Sequence, residues 1–381
     1  MESASVVIIG GGIVGLSIAA SLSEKNQSIL VLEKNRSFGQ ETSSHNSGVI
    51  HSGIYYPPGT LKATLCRKGN KMIYDICNEQ RIPCKKLGKF IVATDELDIR
   101  ELDRLIKNGR KNGIDDLVML DGKGVSSMEP NVTALRAIFS PSTGIIEPDD
   151  LMTYFLSKAS NKGATIVTET VVTGIAKKAS GYLVSGRSSG QEFTLMADTV
   201  INSAGLNSDR VAEMVGLDID SIGYRLHPCK GDYFRVTGKA PVKSMIYPVP
   251  SGPGLGIHLT PDMGGSIKLG PNAYYSDYAD YKVESDPLTF REDVMKFLPL
   301  ISERELLVDS SGIRPKLDGP GDGFRDFIIR HEKDRGFPGF IDLIGIESPG
   351  LTASPCKLSL LTRKFSRFHS VQRSWHQNKH E

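Results

Sequence analysis

No stretch of this chain is apolar for long enough to cross a bilayer. The most apolar run begins at Val6, is interrupted by Ser17, Ser21 and Ser23, and stops at Glu24-Lys25. That is short of the ~20 residues a spanning helix needs, and no basic stretch precedes it as in a signal peptide. The first strand pattern starts at about residue 6, so no targeting peptide is visible in this chain. Cysteine is scarce: Cys66, Cys77, Cys84, Cys229 and Cys356 are an odd number without a C-x-x-C pair. They resemble neither a disulfide framework nor a zinc site, no metal site is expected, and the pattern suits a reducing compartment. Charge of one sign is missing too. The 46 basic and 44 acidic residues nearly cancel, which leaves no global case for nucleic acid as a partner. Internal repeats are absent. What remains is an ordinary globular composition over 381 residues, enough for two domains.

Glycine is what the chain has in a telling place. Val6 to Ile9 are four β-favouring residues that run into Gly10-Gly11-Gly12. A helix pattern opens at about Ile13, with Gly15, Ala19 and Ala20 on one side, and a second apolar run ends at Glu33. Gly10, Gly12 and Gly15 have the G-x-G-x-x-G spacing of a dinucleotide site. The first permits the turn, the second lets a pyrophosphate approach the backbone, and the third lets helix and strand pack closely. Free N–H groups at the helix start favour the diphosphate, and Glu33 lies where an acid accepts ribose hydroxyls. These residues alone do not choose between NAD(P) and FAD.

Further along, residues 39–59 have the composition of a loop yet carry two histidines, an asparagine and two adjacent tyrosines. Long loops of that chemistry are more often functional than idle. Helices are expected at about 61–79, 96–111, 148–161 and 290–298, with a small one within 121–130. Strands are expected at 89–93, 164–170, 182–186, 193–195, 199–201 and 341–346, and through much of 225–269. Strands of the dinucleotide type therefore occur at the start, middle and end, with sheet-rich inserts between them. That implies two interleaved domains rather than two beads on a string.

Several segments are more specific. GGGIVGLSIA with Glu33, then SSHNSGVIHSGIYYPPG, KLGKFIVAT, SPSTGIIEP, NSAGLNSDRVA, HLTPD, LGPNA, SGIRPKL and GIESPGLTASP are spread from residue 6 to about 355. Together they resemble the FAD-dependent D-amino-acid oxidase superfamily, and within it the L-2-hydroxyglutarate dehydrogenase/oxidase family. The resemblance implies an α/β fold: a Rossmann-like FAD-binding domain with an interleaved, mainly antiparallel β-sheet substrate domain. The expected boundaries are 1–85, 146–220 and 310–381 for the FAD domain, and 86–145 and 221–309 for the substrate domain.

It also implies roles, residue by residue. Gly10, Gly12, Gly15 and Glu33 would hold the ADP half of FAD. Ser43, Ser44, His45 and Gly48 would lie under the pyrophosphate and flavin, Val171 or Val172 at the adenine end, and Gly205 in a second FAD motif. Gly350, Leu351 and Thr352 would begin a helix whose N–H groups face the flavin, where reduced flavin is anionic. Arg314, in SGIRPKL, matches the arginine that binds the substrate carboxylate. His51 and His258 lead as bases, since histidine suits that task near neutral pH, and Tyr247 faces the substrate. Lys230 is a candidate cation for a distal carboxylate, with Arg225 competing.

The expected reaction is oxidation of L-2-hydroxyglutarate to 2-oxoglutarate, with electrons passing to quinone or an electron-transfer chain as the family implies, or directly to oxygen as the other option. Amine oxidation of the glycine or sarcosine type, or an impaired flavin-binding protein, are the alternatives. Relatives of this kind are mitochondrial or membrane-associated. The end of the chain departs from the family pattern: Leu358, Leu361, Phe365 and Phe368 recur at helical spacing beside Arg363, Lys364, Arg367 and Arg373. One reading is a basic amphipathic surface for peripheral membrane contact.

Overall fold

The computed structural model describes residues 2–25, 28–250, 254–276 and 280–356. The expected amphipathic segment at 358–373 lies outside the described residues. The apolar strand Glu2–Ile9 is the centre of an eight-stranded sheet. It pairs in parallel with Ile29–Leu32 on one side and with Gln191–Asn202 on the other. Two further parallel partners, Thr165–Val167 and Phe340–Ile344, extend this core. The registers Ile9↔Leu32 and Ile9↔Asn202 align the strand ends, so Gly10, Glu33 and Ser203 emerge side by side at one edge. Ligands of open parallel sheets bind at that carboxyl edge.

Helix Ile13–Leu22 is apolar on nearly every side and is buried between this sheet and helix Pro148–Ser160. A Cβ on Gly15 would overlap the carbonyl oxygen of Gly10, so the close helix–strand approach requires glycine there. Helix Leu61–Gln80 starts at Thr60, whose hydroxyl accepts from the Ala63 N–H at 3.2 Å. Its Gly69 lies against the backbone of Thr352, where a Cβ would overlap the carbonyl.

A nine-stranded sheet forms the second layer, with one parallel pair, Met245–Pro248 beside Lys89–Ala93, among antiparallel neighbours. A three-stranded sheet of Val49–Ile50, Gly144–Ile146 and Cys84–Lys85 links the two. Two differences from the sequence expectations matter for the site. The runs 193–195 and 199–201 are one strand, Gln191–Asn202, whose first half pairs antiparallel with Tyr182–Ser188 and whose second half joins the parallel core. Leu306–Lys316 is an eleven-residue strand that the polar Asp309-Ser310-Ser311-Gly312 stretch concealed. It pairs antiparallel with His227–Val236 in the second sheet, Cys229 opposite Arg314. The expected boundary at 310 therefore cuts a continuous strand. Among the described residues no helix is long and apolar enough to cross a membrane.

Candidate active site

One cavity of ≈ 400 Å³ runs from the glycine turn, between the two large sheets, to a polar end formed by His51, Tyr247, His258 and Arg314. At the turn end, Gly10 and Gly12 line it. Gly10 has φ +106°, and a Cβ there would strike the Ser203 carbonyl. Helix Ile13–Leu22 has no side-chain cap and no acid in its first turn, which leaves N–H groups available to an anion. Ser43 accepts from the Ile13 N–H at 3.0 Å and sits 2.8 Å from where a Cβ on Gly12 would lie. The buried Glu33 carboxylate accepts from the N–H groups of Gly11 at 2.7 Å and Asn35 at 2.8 Å. Val171, Val172 and Gly205 also face the cavity, as do His45, Gly350 and Leu351. A backbone cradle, an uncapped helix start and a carboxylate in this arrangement fit the diphosphate and ribose of a dinucleotide.

Four expected cofactor residues are not among those lining the cavity. Gly15 acts in helix packing, as described. Ser44 donates to Asp149 at 2.8 Å, and with Gly48 it borders a separate polar depression that also includes Arg235 and Lys268. Gly48 has φ +62° and no room for a Cβ beside the Ile146 carbonyl. Thr352 stands behind the wall: its hydroxyl accepts from the His51 N–H at 3.0 Å and donates to the Val49 carbonyl at 3.2 Å.

The loop bearing His51 has little ladder pairing, so side-chain amides take its backbone groups. Asn70 donates to the His51 carbonyl at 3.0 Å, and Asn108 and Asn112 both donate to the Tyr56 carbonyl at 2.9 Å. With Thr352 on its N–H, His51 is thus held on both sides. Its Nε2 lies 3.4 Å from the Ser348 hydroxyl. Burial, then the neighbouring Lys89, His258 and Arg314, hold the His51 imidazole well below the usual histidine range. His258 stacks on Tyr247 at 3.8 Å between ring centroids. Its Nδ1 lies 2.9 Å from the Gly256 carbonyl, which can only accept, so the proton sits on Nδ1 and Nε2 is bare. Burial pushes this imidazole down to about 3. Both rings are neutral at pH 7. Burial also raises the Tyr247 phenol, which stays protonated.

Arg314 brings a guanidinium to this end. Burial is the largest single effect and works against its charge, but Glu347 together with Tyr233, Cys229 and Tyr56 outweighs it and keeps the guanidinium protonated. No hydrogen bond or ion pair engages the Arg314 guanidinium among the described residues. Glu347 also lines the cavity but is tied to Lys62 by a buried ion pair of 2.6 Å. The expectation for Lys230 does not hold. On strand His227–Val236 alternate residues face opposite ways, so Gly231 and Tyr233 line the cavity while Lys230 turns away. Its ammonium pairs with Asp280 at 2.6 Å and Glu284 at 3.5 Å. Arg225 is likewise elsewhere, paired with Asp220 at the surface.

Sequence reasoning missed Lys89. It is 1 % exposed, and its ammonium lies 4.4 Å from the Tyr55 ring centroid and 4.7 Å from that of Tyr247. No acid pairs with it among the described residues. Burial brings it down to about 7, against an opposing effect of Cys66. The available signal was a lysine opening an otherwise apolar strand, KFIVA, that is buried throughout.

Residues 5–356 match the DAO family, FAD dependent oxidoreductase. The class of protein that this cradle and fold define is therefore an FAD-dependent oxidoreductase with the D-amino-acid oxidase fold, and FAD is its cofactor. The structure of L-alpha-glycerophosphate oxidase from Mycoplasma pneumoniae with FAD bound superposes with a TM-score of 0.85. It is 28% identical and covers 95% of this chain and 94% of its own. "L-2-hydroxyglutarate dehydrogenase, mitochondrial" of Arabidopsis thaliana is 36% identical over 407 residues, which is 96% of this chain and 84% of the relative. Its Homo sapiens counterpart is 38% identical over 380 residues, 86% of this chain and 81% of the relative. Within the FAD-dependent oxidoreductases, the chain belongs to the L-2-hydroxyglutarate dehydrogenase family.

Proposed function

We infer that this protein oxidises L-2-hydroxyglutarate to 2-oxoglutarate and passes the electrons to quinone or another carrier of an electron-transfer chain, in mitochondria as its relatives' names imply. One observation carries the reading: an unengaged guanidinium, Arg314, shares the end of the cofactor cavity with two neutral imidazoles. Gly10, Gly12, Glu33, Ser43, His45, Val172, Gly205, Gly350 and Leu351 are the residues that would hold FAD. Bound FAD supplies a two-electron acceptor for the hydride leaving C2 of the substrate.

The side chains do the rest. Arg314 grips the C1 carboxylate, for which a planar guanidinium offers two parallel donors. His51 takes the hydroxyl proton at Nε2, because its backbone is held on both sides and that nitrogen has one long contact, to Ser348. His258 accepts at its bare Nε2 and orients the hydroxyl, while Tyr247 closes the wall against water. In the empty site, burial and neighbouring cations keep His51 a weak base. A bound carboxylate offsets the Arg314 charge, so the imidazole gains basicity when substrate is present. A 2-hydroxy acid suits the site better than an amino acid, since the acids lining the cavity are committed. Glu347 is held by Lys62, Glu41 by Lys34 at 2.7 Å, and Glu33 by backbone N–H groups.

Anaerobic stopped-flow mixing tests this reading. The flavin absorbance is expected to bleach with L-2-hydroxyglutarate and not with the D enantiomer or glycine. Bleaching by glycine or sarcosine would select an amine oxidase, bleaching by glycerol 3-phosphate a polyol phosphate enzyme, and absence of bound flavin after adding FAD an impaired relative. Reoxidation of the reduced enzyme by a short-chain quinone, faster than by oxygen, is the expected result for the acceptor.

A further inference from the structure

Lys89 has no role in the chemistry above, yet its placement is unusual for a lysine. Buried ammonium groups are nearly always paired, because taking a charge out of water is costly. Here the ammonium is sealed among Tyr55, Tyr247 and the apolar strand, and no acid accompanies it among the described residues. It lies one side chain behind the cavity surface, against the ring of Tyr247, which does line it. The charge on Lys89 is also the largest electrostatic influence on His51, ahead of His258 and Arg314, which puts it at the reacting end. A dicarboxylate brought into this cavity carries two negative charges, and Arg314 answers one. The cation expected for the other, Lys230, faces away and is already paired with acids.

We propose that Lys89 is the counter-charge for the second carboxylate of the substrate, so that this site selects dicarboxylic over monocarboxylic 2-hydroxy acids. The assignment rests on the reading above, in which Arg314 holds the first carboxylate. A lysine suits the task because its stem carries a compact charge to the Tyr247 ring, 4.7 Å from the ring centroid. Even without direct contact, a charge pair about 7 Å apart in a medium of effective dielectric about 20 alters binding roughly 10- to 100-fold. Burial lowers the Lys89 ammonium to about 7. Below that pH it is charged and ready, and above it a dicarboxylate must bring a proton with it. The groups that could share that proton are Tyr55, Tyr247, His51, His258 and Cys66. Burial holds both imidazoles low, and holds both phenols and the Cys66 thiol high, so all five stay neutral at pH 7. Arg314 stays charged throughout.

The test uses flavin-loaded enzyme and two substrate analogues that cannot be oxidised, glutarate and butyrate, with binding followed by calorimetry and by the visible flavin spectrum. Lys89→Met is expected to weaken glutarate roughly 10- to 100-fold and leave butyrate within about twofold. Loss of both ligands alike, or of neither, overturns the proposal while leaving the Arg314 reading intact. Failure of the wild type to bind either ligand overturns both. A wild-type comparison needs no variant: glutarate against glutaramate, its uncharged-end monoamide, between pH 6 and 9. Glutarate should be favoured at least tenfold at pH 6, and the preference should shrink above pH 7. A constant or absent preference overturns the assignment.

Discussion

Replacing Lys89 by methionine is expected to make the flavin-loaded protein more stable at neutral pH, although it removes a binding group. An ordinary lysine titrates near 10.5, and burial brings Lys89 to about 7. Between those values the unfolded chain holds a proton that the folded chain has released. Stability therefore rises with pH across this window, and the folded state is penalised below it. The penalty at pH 7 is roughly 4 kcal/mol, at about 1.4 kcal/mol per pH unit of displacement. Methionine removes it and fits a similar volume, while forfeiting cation–π contacts to Tyr55 and Tyr247 worth about 1–2 kcal/mol. The net gain is about 2–3 kcal/mol, or a rise in Tm of roughly 2–4 °C for a chain of this length. Thermal unfolding followed by flavin release, at pH 7 and pH 10, gives the answer. The gain should fall below about 1 kcal/mol at pH 10, because folded Lys89 has long lost its proton there and unfolded lysine is only about half a pH unit from losing its own. A variant less stable at both pH values, or a gain that does not shrink with pH, would refute the reasoning. Groups that a site needs are commonly stabilising to lose, because they are kept for binding rather than for folding.

Other substitutions probe the remaining parts. Arg314→Ala should weaken carboxylate binding by 100-fold or so while the flavin stays bound, since about 3 kcal/mol resides in a charge-assisted bidentate pair. Unchanged affinity for glutarate would remove Arg314 from the site. Gly15→Ala should cost the protein its flavin, because the new Cβ overlaps the Gly10 carbonyl and must push helix from turn. Normal flavin content after purification would contradict that. Lys62→Met leaves the Glu347 carboxylate buried without its partner, at a cost of about 3–5 kcal/mol. The freed carboxylate is then the nearest competitor for Arg314, so KM should rise and Glu347→Gln added to that variant should restore it. A KM unmoved by Lys62→Met would show that Glu347 cannot reach the guanidinium.

Much of the fold was legible because the signals were local. The glycine turn, Glu33 and the helix expected at 96–111 depend on spacing and periodicity, and the observed helix is Glu96–Lys111. Strand Lys89–Ala93 was readable for the same reason. Strand Leu306–Lys316 was not, because its middle is polar and its partner lies far away in sequence. The same physics concealed Lys230. His227–Val236 is almost wholly buried on both faces, so hydrophobic alternation could not say which residues meet the cavity. Lys230, Gly231, Asp232 and Tyr233 look equally eligible until the pairing register turns two of them inward.

By itself the amino-acid sequence pointed to a dinucleotide and to the turn that would cradle it. A strand, three glycines, a helix and an acid are a local pattern whose spacing suits a diphosphate and a ribose, and that spacing can be read without knowing what packs around it. Tertiary structure decided which charges face that ligand. Arg314, His51 and His258 come from segments far apart in the chain, and they meet because two sheets close over one cavity. Whether a cation is free or already answered by an acid is a property of distance through space. That is why Lys230, which had the better motif, is occupied by acids, and Lys89, which had none, has no acid partner among the described residues.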